Sequence, residues 1–373
     1  MNPSERYLPV DALRGLIMMI MAIDHASGFV ARQHGAEFWS GAMSAYTAAF
    51  PFLTRWITHV CAPGFFFLMG AGIYWSSMGI RRVLLRGGVL FLVGQVLETP
   101  VIALMSFLKP AKVSLNQITA PPPNDGSQLY WGWIVLTGLG LVMIACGILL
   151  KLRPWAWLAV SALCVFSTNS LLPAFGQPRG WWDAILLSPG IARHLLVMYP
   201  VLPWLAGAAA GMYFGYWWRG NPERAQRSIG LLGALLLAAG LALRAAGGWG
   251  NIRLPRDPGW IEFLNNVKYP PSLVFWTMSL GLDLLLLAIL LRLPEKLLAV
   301  RSPLIVFGQT PLFFYLAHFW LLALCSFAFF REAASLEVAY IVWAAVLVAL
   351  YPVCARYRSF KLGKPRESLW RMF

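Results

Sequence analysis

The sequence is poor in charge. Only 12% of its 373 residues are Asp, Glu, Lys or Arg, and just 15 are acidic. A soluble domain of this size would cover its core with a charged surface, so an ordinary soluble globular protein is excluded. Histidine and cysteine are scarcer still, with five of each. Cys61, Cys146, Cys164, Cys325 and Cys354 fall within or at the ends of apolar runs and show no metal-like spacing, which excludes a disulfide framework and a zinc site. There is no short internal repeat, and the one proline-rich patch, Ala120–Gly126, is the size of an ordinary loop. A net charge of +15 does not imply a nucleic-acid partner, because the Lys and Arg residues are not gathered into a basic domain with interleaved aromatics.

What is present is hydrophobic residue, 59% of the chain, in recurring runs long enough to cross a bilayer. The expected fold class is all-α, a polytopic integral membrane protein with about 10 transmembrane helices (9–11). Residues 1–373 are expected to form one transmembrane domain that ends in a short basic tail, 355–373. Spans are expected near 8–31, 52–77, 87–107, 131–150, 155–172, 193–218, 228–246, 271–291, 304–329 and 336–354. The first is too long for a signal-peptide core and lacks a cleavage site after it, so it reads as a retained span.

Loops divide by charge. One set carries Arg81, Arg82 and Arg86; Lys151 and Arg153; Arg219, Arg224 and Arg227; Arg292, Lys296 and Arg301; and the tail from Arg356 to Arg371. The positive-inside rule makes that set cytoplasmic, together with both termini. The opposite loops, 108–130, 173–192 and 247–270, are longer and rich in Pro, Gly, Asn and Trp.

Ionisable residues inside spans are costly, so each is a candidate for function, with interhelical pairing as the alternative. They are Asp11, Arg14, Asp24 and His25 in the first span, Arg55 and His59 in the second, Asp283 in the eighth and His318 in the ninth. From Arg14 to His25 a helix makes about three turns plus roughly 20° and rises about 16 Å, which puts both side chains on one face. Asp11 lies within roughly 40° of that line, one turn from Arg14 and placed to pair with it. Asp24 points to the side. His25 lies too far inside the span to be a headgroup residue, and an imidazole can accept and donate a proton or be acylated. A guanidinium some 16 Å away suits phosphate. This layout fits an extended phosphate-bearing donor such as acyl-coenzyme A.

Here the residues resemble a family. Arg14 followed after ten residues by His25 is similar to the first span of acyltransferase-3 membrane enzymes. DALRGLIMMIMAIDHA (11–26), TRWITHVCAPGFFFLMGAG (54–72), FLNNVKYPPSLVFWTMSLG (263–281), VFGQTPLFFYLAHFWLL (306–322) and YPVCARYRSFK (351–361) together resemble bacterial relatives of heparan-α-glucosaminide N-acetyltransferase. The resemblance implies an enzyme that passes an acyl group, usually acetyl, from cytoplasmic acyl-coenzyme A to a sugar hydroxyl or amine of an extracytoplasmic glycan. It also implies a multi-pass protein of the bacterial inner membrane and points to a homodimer. One departure stands out. The lysosomal enzyme has its catalytic histidine in the loop before the second span, whereas residues 45–52 here have none. His34 is early for that match and reads as a solvated residue, so His25 is expected to be the base.

The expected catalytic group is therefore His25 with Asp24 and His59 in support. His59, four residues from Arg55 and just ahead of Pro63 and the glycines up to Gly72, lines the cavity or bonds to the first span. Arg14, Asp11, Arg55, Lys268, His318, Arg81 and Arg82 are the candidates for holding acyl-coenzyme A. Arg81, Arg82 and Arg86 are equally explained by the positive-inside rule, Lys268 by snorkelling, and His318 by a structural hydrogen bond. Pro270 and Pro271 are read as a rigid start to the eighth span. Asp283 is expected to pair with one of the cations, Asn265 and Asn266 to offer hydrogen bonds to a sugar, and Trp181, Trp182, Tyr130 and Trp131 to anchor at the interface. No metal is required. The rival reading is a proton-coupled transporter or flippase for a sugar or lipid, with the same Asp and His groups as a relay.

Overall fold

The computed structural model describes residues 7–34, 37–39, 45–101, 131–175, 180–294, 296–365 and 368–371. The loop 108–130, with its Ala120–Gly126 patch and Tyr130, lies outside the described residues. The chain is a bundle of helices: α1 (Leu8–Val30), α2 (Ala49–Trp75), α3 (Ile80–Val93), α4 (Val135–Leu149), α5 (Pro154–Phe175), α6 (Trp181–Leu186), α7 (Val201–Gly220), α8 (Pro222–Ala246), α9 (Trp260–Leu264), α10 (Leu273–Leu290), α11 (Pro303–Gln309), α12 (Pro311–Phe329) and α13 (Leu336–Leu362). Among the described residues seven, α1, α2, α5, α8, α10, α12 and α13, are long and apolar enough to cross a membrane. The protein is an all-α polytopic membrane protein.

Three of the ten expected spans fall outside those seven. At 87–107, α3 begins earlier and continues through a π-helical turn, Gly94–Glu98, and residues 102–107 of the expected span lie outside the described residues. At 131–150 the strand β1 (Trp131–Trp133) takes the first residues and leaves a helix of 15 residues. At 193–218 the chain first makes a hairpin of β2 (Gly190–Ala192) and β3 (Leu195–Val197) and turns helical only at Val201; the 20 residues that follow are long enough to cross, but their Gly, Trp and Tyr residues leave them less apolar than the seven. These strands form one small sheet in the order β1-β3-β2. The expected span 304–329 is broken between α11 and α12 at Thr310, where the following Pro311 disfavours the helical conformation of the residue before it. The eighth span starts at Leu273, capped by Ser272 Oγ, which accepts from the Phe275 amide at 3.0 Å, so Pro270 and Pro271 precede the helix and are not part of its first turn.

α1 is the centre of the bundle, packed by α2, α10, α11, α12 and α13. α8 and α13 turn most of their apolar surface outward, with Leu231, Leu235, Ile341 and Val348 exposed. Without a hydrophobic drive between lipid-facing helices, small residues decide how closely backbones approach. A Cβ at Gly15 would stand 1.8 Å from the Leu304 carbonyl oxygen, and one at Gly308 would stand 1.8 Å from that of Asp11. α1 and α11 therefore touch backbone to backbone, and neither position accepts alanine without moving a helix.

Candidate functional site

The polar residues of α1 divide between two partners. Arg14 and His25 both face the α11–α12 side, where Arg14 Nη1 donates to the Gly308 carbonyl at 3.1 Å and His25 Nδ1 lies 2.7 Å from His318 Nε2. Asp24 faces α2 instead, where Arg55 Nη1 donates to its Oδ1 and Oδ2, both at 2.6 Å.

Around Arg55 a closed ionic network forms. Its Nε and Nη2 donate to the two oxygens of Glu37 at 2.8 and 2.6 Å, a bidentate pairing only a guanidinium can make. Glu37 arrives on the loop after α1 and is held there by its own backbone, because its carbonyl accepts the amides of Lys268 and Tyr269 at 3.0 Å each. Burial alone would push the Glu37 carboxyl up, but the Arg55 guanidinium outweighs it and holds the group well below the usual carboxylate range. His34 completes the network. Its Nε2 lies 3.1 Å from Asp24 Oδ2 and 3.2 Å from Arg55 Nη1, and its Nδ1 is buried with no hydrogen-bond partner among the described residues. The expectation that His34 is a solvated loop residue is corrected, since the loop folds back over the end of α1.

His59 sits one turn along α2, in the 3-10 turn Ile57–Val60. That turn is tightened because Pro63 has no amide to give the His59 carbonyl. Its ring packs on Phe275 at 5.2 Å, and its Nε2 is 3.8 Å from Glu37 Oε1 with no hydrogen-bond partner among the described residues. Lys268 is buried beside this group, with its Nζ 5.2 Å over the Tyr269 ring.

The His25–His318 pair fixes its own protons. His318 Nδ1 is 2.8 Å from the Phe314 carbonyl, which can only accept, so Nδ1 carries the hydrogen. For neutral rings this makes His318 Nε2 an acceptor, supplied by His25 Nδ1–H. The remaining nitrogen, His25 Nε2, then holds a free lone pair, and no described residue hydrogen-bonds to it. His318 is fully buried and hands nothing outward except this orientation.

At the other end of α1 lies a cavity of about 470 Å³. Asp11, Arg14, Arg86, Gln309 and Lys361 line its polar end, and Met18, Phe65 and Leu136 its apolar depth. Arg14 Nη1 pairs with Asp11 Oδ1 at 3.0 Å, and Gln309 Nε2 donates to Asp11 Oδ2 at 2.8 Å. Of the seven candidates for donor binding, Asp11 and Arg14 line this cavity, whereas Arg55, Lys268, His318, Arg81 and Arg82 do not. Arg81 and Arg82 are exposed on the first turn of α3, and it is Arg86 that the helix turns inward.

Other expectations are redirected. Among the described residues Asp283 pairs with no cation: it is buried over Gly64, and neither carboxyl oxygen has a hydrogen-bond partner there. Asn265 and Asn266 are buried, the first donating to Glu262 Oε1 at 3.0 Å and the second to Met278 Sδ at 3.3 Å. Arg244 organises that segment by donating to the carbonyls of Glu262, Phe263, Arg253 and Asn265 and to Asn251 Oδ1. Trp131, Trp181 and Trp182 are exposed. Missing from the sequence reading are Glu37, Tyr315 and Glu98. Glu98 is fully buried, accepts the Leu136 amide at 3.1 Å, and accepts the Tyr315 hydroxyl. Among the described residues no group of three or more His, Cys, Asp or Glu is placed to hold a metal ion.

A sequence model of the family described as heparan-alpha-glucosaminide N-acetyltransferase, catalytic, matches residues 6–243, well over half the chain. The match takes in the Arg14–His25 register, His34, Arg55, His59 and Glu98, and stops short of Lys268 and His318. No curated protein matches the chain.

Proposed function

Because the chain belongs to the heparan-alpha-glucosaminide N-acetyltransferase catalytic family, we propose that it is a multi-pass acyltransferase of the plasma membrane that moves an acetyl or other short acyl group from acyl-coenzyme A to a sugar hydroxyl or amine. The observation that carries this reading is the pairing of a cation-lined cavity at Arg14 with an imidazole whose Nε2 is left open at His25. By the positive-inside rule the Arg14 end and both termini are cytoplasmic, so the donor enters there and the glycan acceptor meets His25 from the opposite side.

Arg14, with Arg86 beside it, neutralises donor phosphate at the cavity mouth. The pantetheine arm lies along α1, and the thioester carbon comes to rest near His25. His25 Nε2 takes the proton of the acceptor hydroxyl or amine as the acceptor oxygen or nitrogen bonds to the acyl carbon. The carbon–sulfur bond then breaks, and the same proton passes from His25 to the departing thiolate, so that atoms and charge balance without an outside reagent. His318 holds the tautomer that this needs. Asp24 acts at one remove, because it is engaged by Arg55 and His34 and not by His25.

Purified protein should bind acetyl-coenzyme A and slowly hydrolyse or transfer its acyl group. His25→Ala should cut turnover by about 10²- to 10⁴-fold while leaving donor binding and fold unchanged. Wild-type protein that neither binds nor turns over any short-chain acyl-coenzyme A would sink the reading.

A further inference from the structure

The donor cavity stops before it reaches His25. On α1 its lining ends at Met18, seven residues and about 10 Å short of His25. On α12 it ends at Tyr315, one turn before His318. Tyr315 fills the gap, with its ring 6.0 Å edge-on from His25, 5.6 Å from His318, and stacked on Phe319 at 5.8 Å.

The ring is held from outside its own helix. Its hydroxyl donates to Glu98, which sits on the π-helical turn after α3 and whose other oxygen takes the Leu136 amide in the first turn of α4. Such single π turns inside helices recur at functional positions. Three elements therefore fix one aromatic plate across the end of the cavity.

We infer that Tyr315, latched by Glu98, is the residue that limits the length of the transferred acyl chain. The inference rests on the donor reading above. For the thioester carbon to stand beside His25 Nε2, the acyl group must pass the edge of the Tyr315 ring. An acetyl methyl needs little displacement. Each further methylene pushes the ring toward Phe319 and His25, which are already in contact with it, and overpacking of this kind is penalised steeply.

The test is the chain-length profile. With straight-chain donors from acetyl- to octanoyl-coenzyme A, wild-type kcat/KM should fall as methylenes are added. In Tyr315→Ala the octanoyl-to-acetyl ratio should rise by about tenfold or more, the scale at which a pocket discriminates one or two methylenes. Tyr315→Phe keeps the ring and loses the latch, so its ratio should rise less. If Tyr315→Ala does not fold, Tyr315→Leu, which keeps apolar bulk and removes the plate, carries the same expectation. A role confined to stability would lower all donors alike and leave the ratio unmoved. An unchanged ratio in a folded, active variant, or a wild type that uses octanoyl as well as acetyl donors, overturns the inference alone. A wild type inert toward every donor overturns the donor reading with it.

Discussion

Two arginines face the ends of α1, and they are used in opposite ways. Arg55 commits Nε, Nη1 and Nη2 to two carboxylates and is buried with them. Arg14 makes both its contacts through Nη1 alone, and its side chain keeps 25% of its exposure at a cavity. The first is structure, and the second is the proposed receiver of donor phosphate. A buried cation whose three nitrogens are all engaged by carboxylates has little left for a ligand, whereas one with spare donors in a cleft attracts an anion.

That contrast breaks if the two arginines respond alike. Arg55→Met leaves Asp24 and Glu37 buried without their partner, and should cost about 3–5 kcal/mol, read as a lowered unfolding midpoint in detergent. Arg55→Lys should recover only part of it, because an ammonium cannot make the bidentate pairing. Arg14→Gln should leave that midpoint near wild type and instead raise the donor KM by about ten- to a hundredfold with kcat little changed, the worth of one charge-assisted bond to a phosphate. His318→Ala should keep fold and donor binding while lowering kcat by about ten- to a hundredfold, less than His25→Ala, because it removes the orienting partner and not the proposed base.

The smallest effect is on acidity. Glu37 is held below the usual carboxylate range in the folded protein, so its contribution to stability is fully present above that range and is lost as pH falls toward its lowered folded value. Stability should hold from neutral pH to about 5 and decline below, and Glu37→Gln should flatten that decline.

How much of this was legible in the sequence depends on what held each residue. Periodicity along one helix placed Arg14, Asp11 and His25 on a common line, because helix geometry is local. The partner of Asp24 was not legible, since it comes from α2 and from a loop that no apolar pattern marks. Glu37 was invisible for the same reason: a carboxylate in a loop raises no alarm until the loop folds inward. Glu98 was legible, as an ionisable residue inside an expected span, and was passed over. The short strands escaped because Trp131–Trp133 and Leu195–Val197 are as apolar as the helices beside them, and hydropathy does not distinguish the two over three residues.

The glycine contact between α1 and α11 turns helix α1 into a gear with fixed teeth. Gly15 and Gly308 seat one end against a backbone that cannot slide, and Arg55 grips the other through Asp24. Between these points the phase of the helix is set in whole residues, each worth about 100° of rotation and 1.5 Å of travel. The chain can therefore adjust what it receives at one end, or what it offers at the other, by exchanging side chains. It cannot gain or lose a single residue between Gly15 and Asp24 without swinging His25 away from His318.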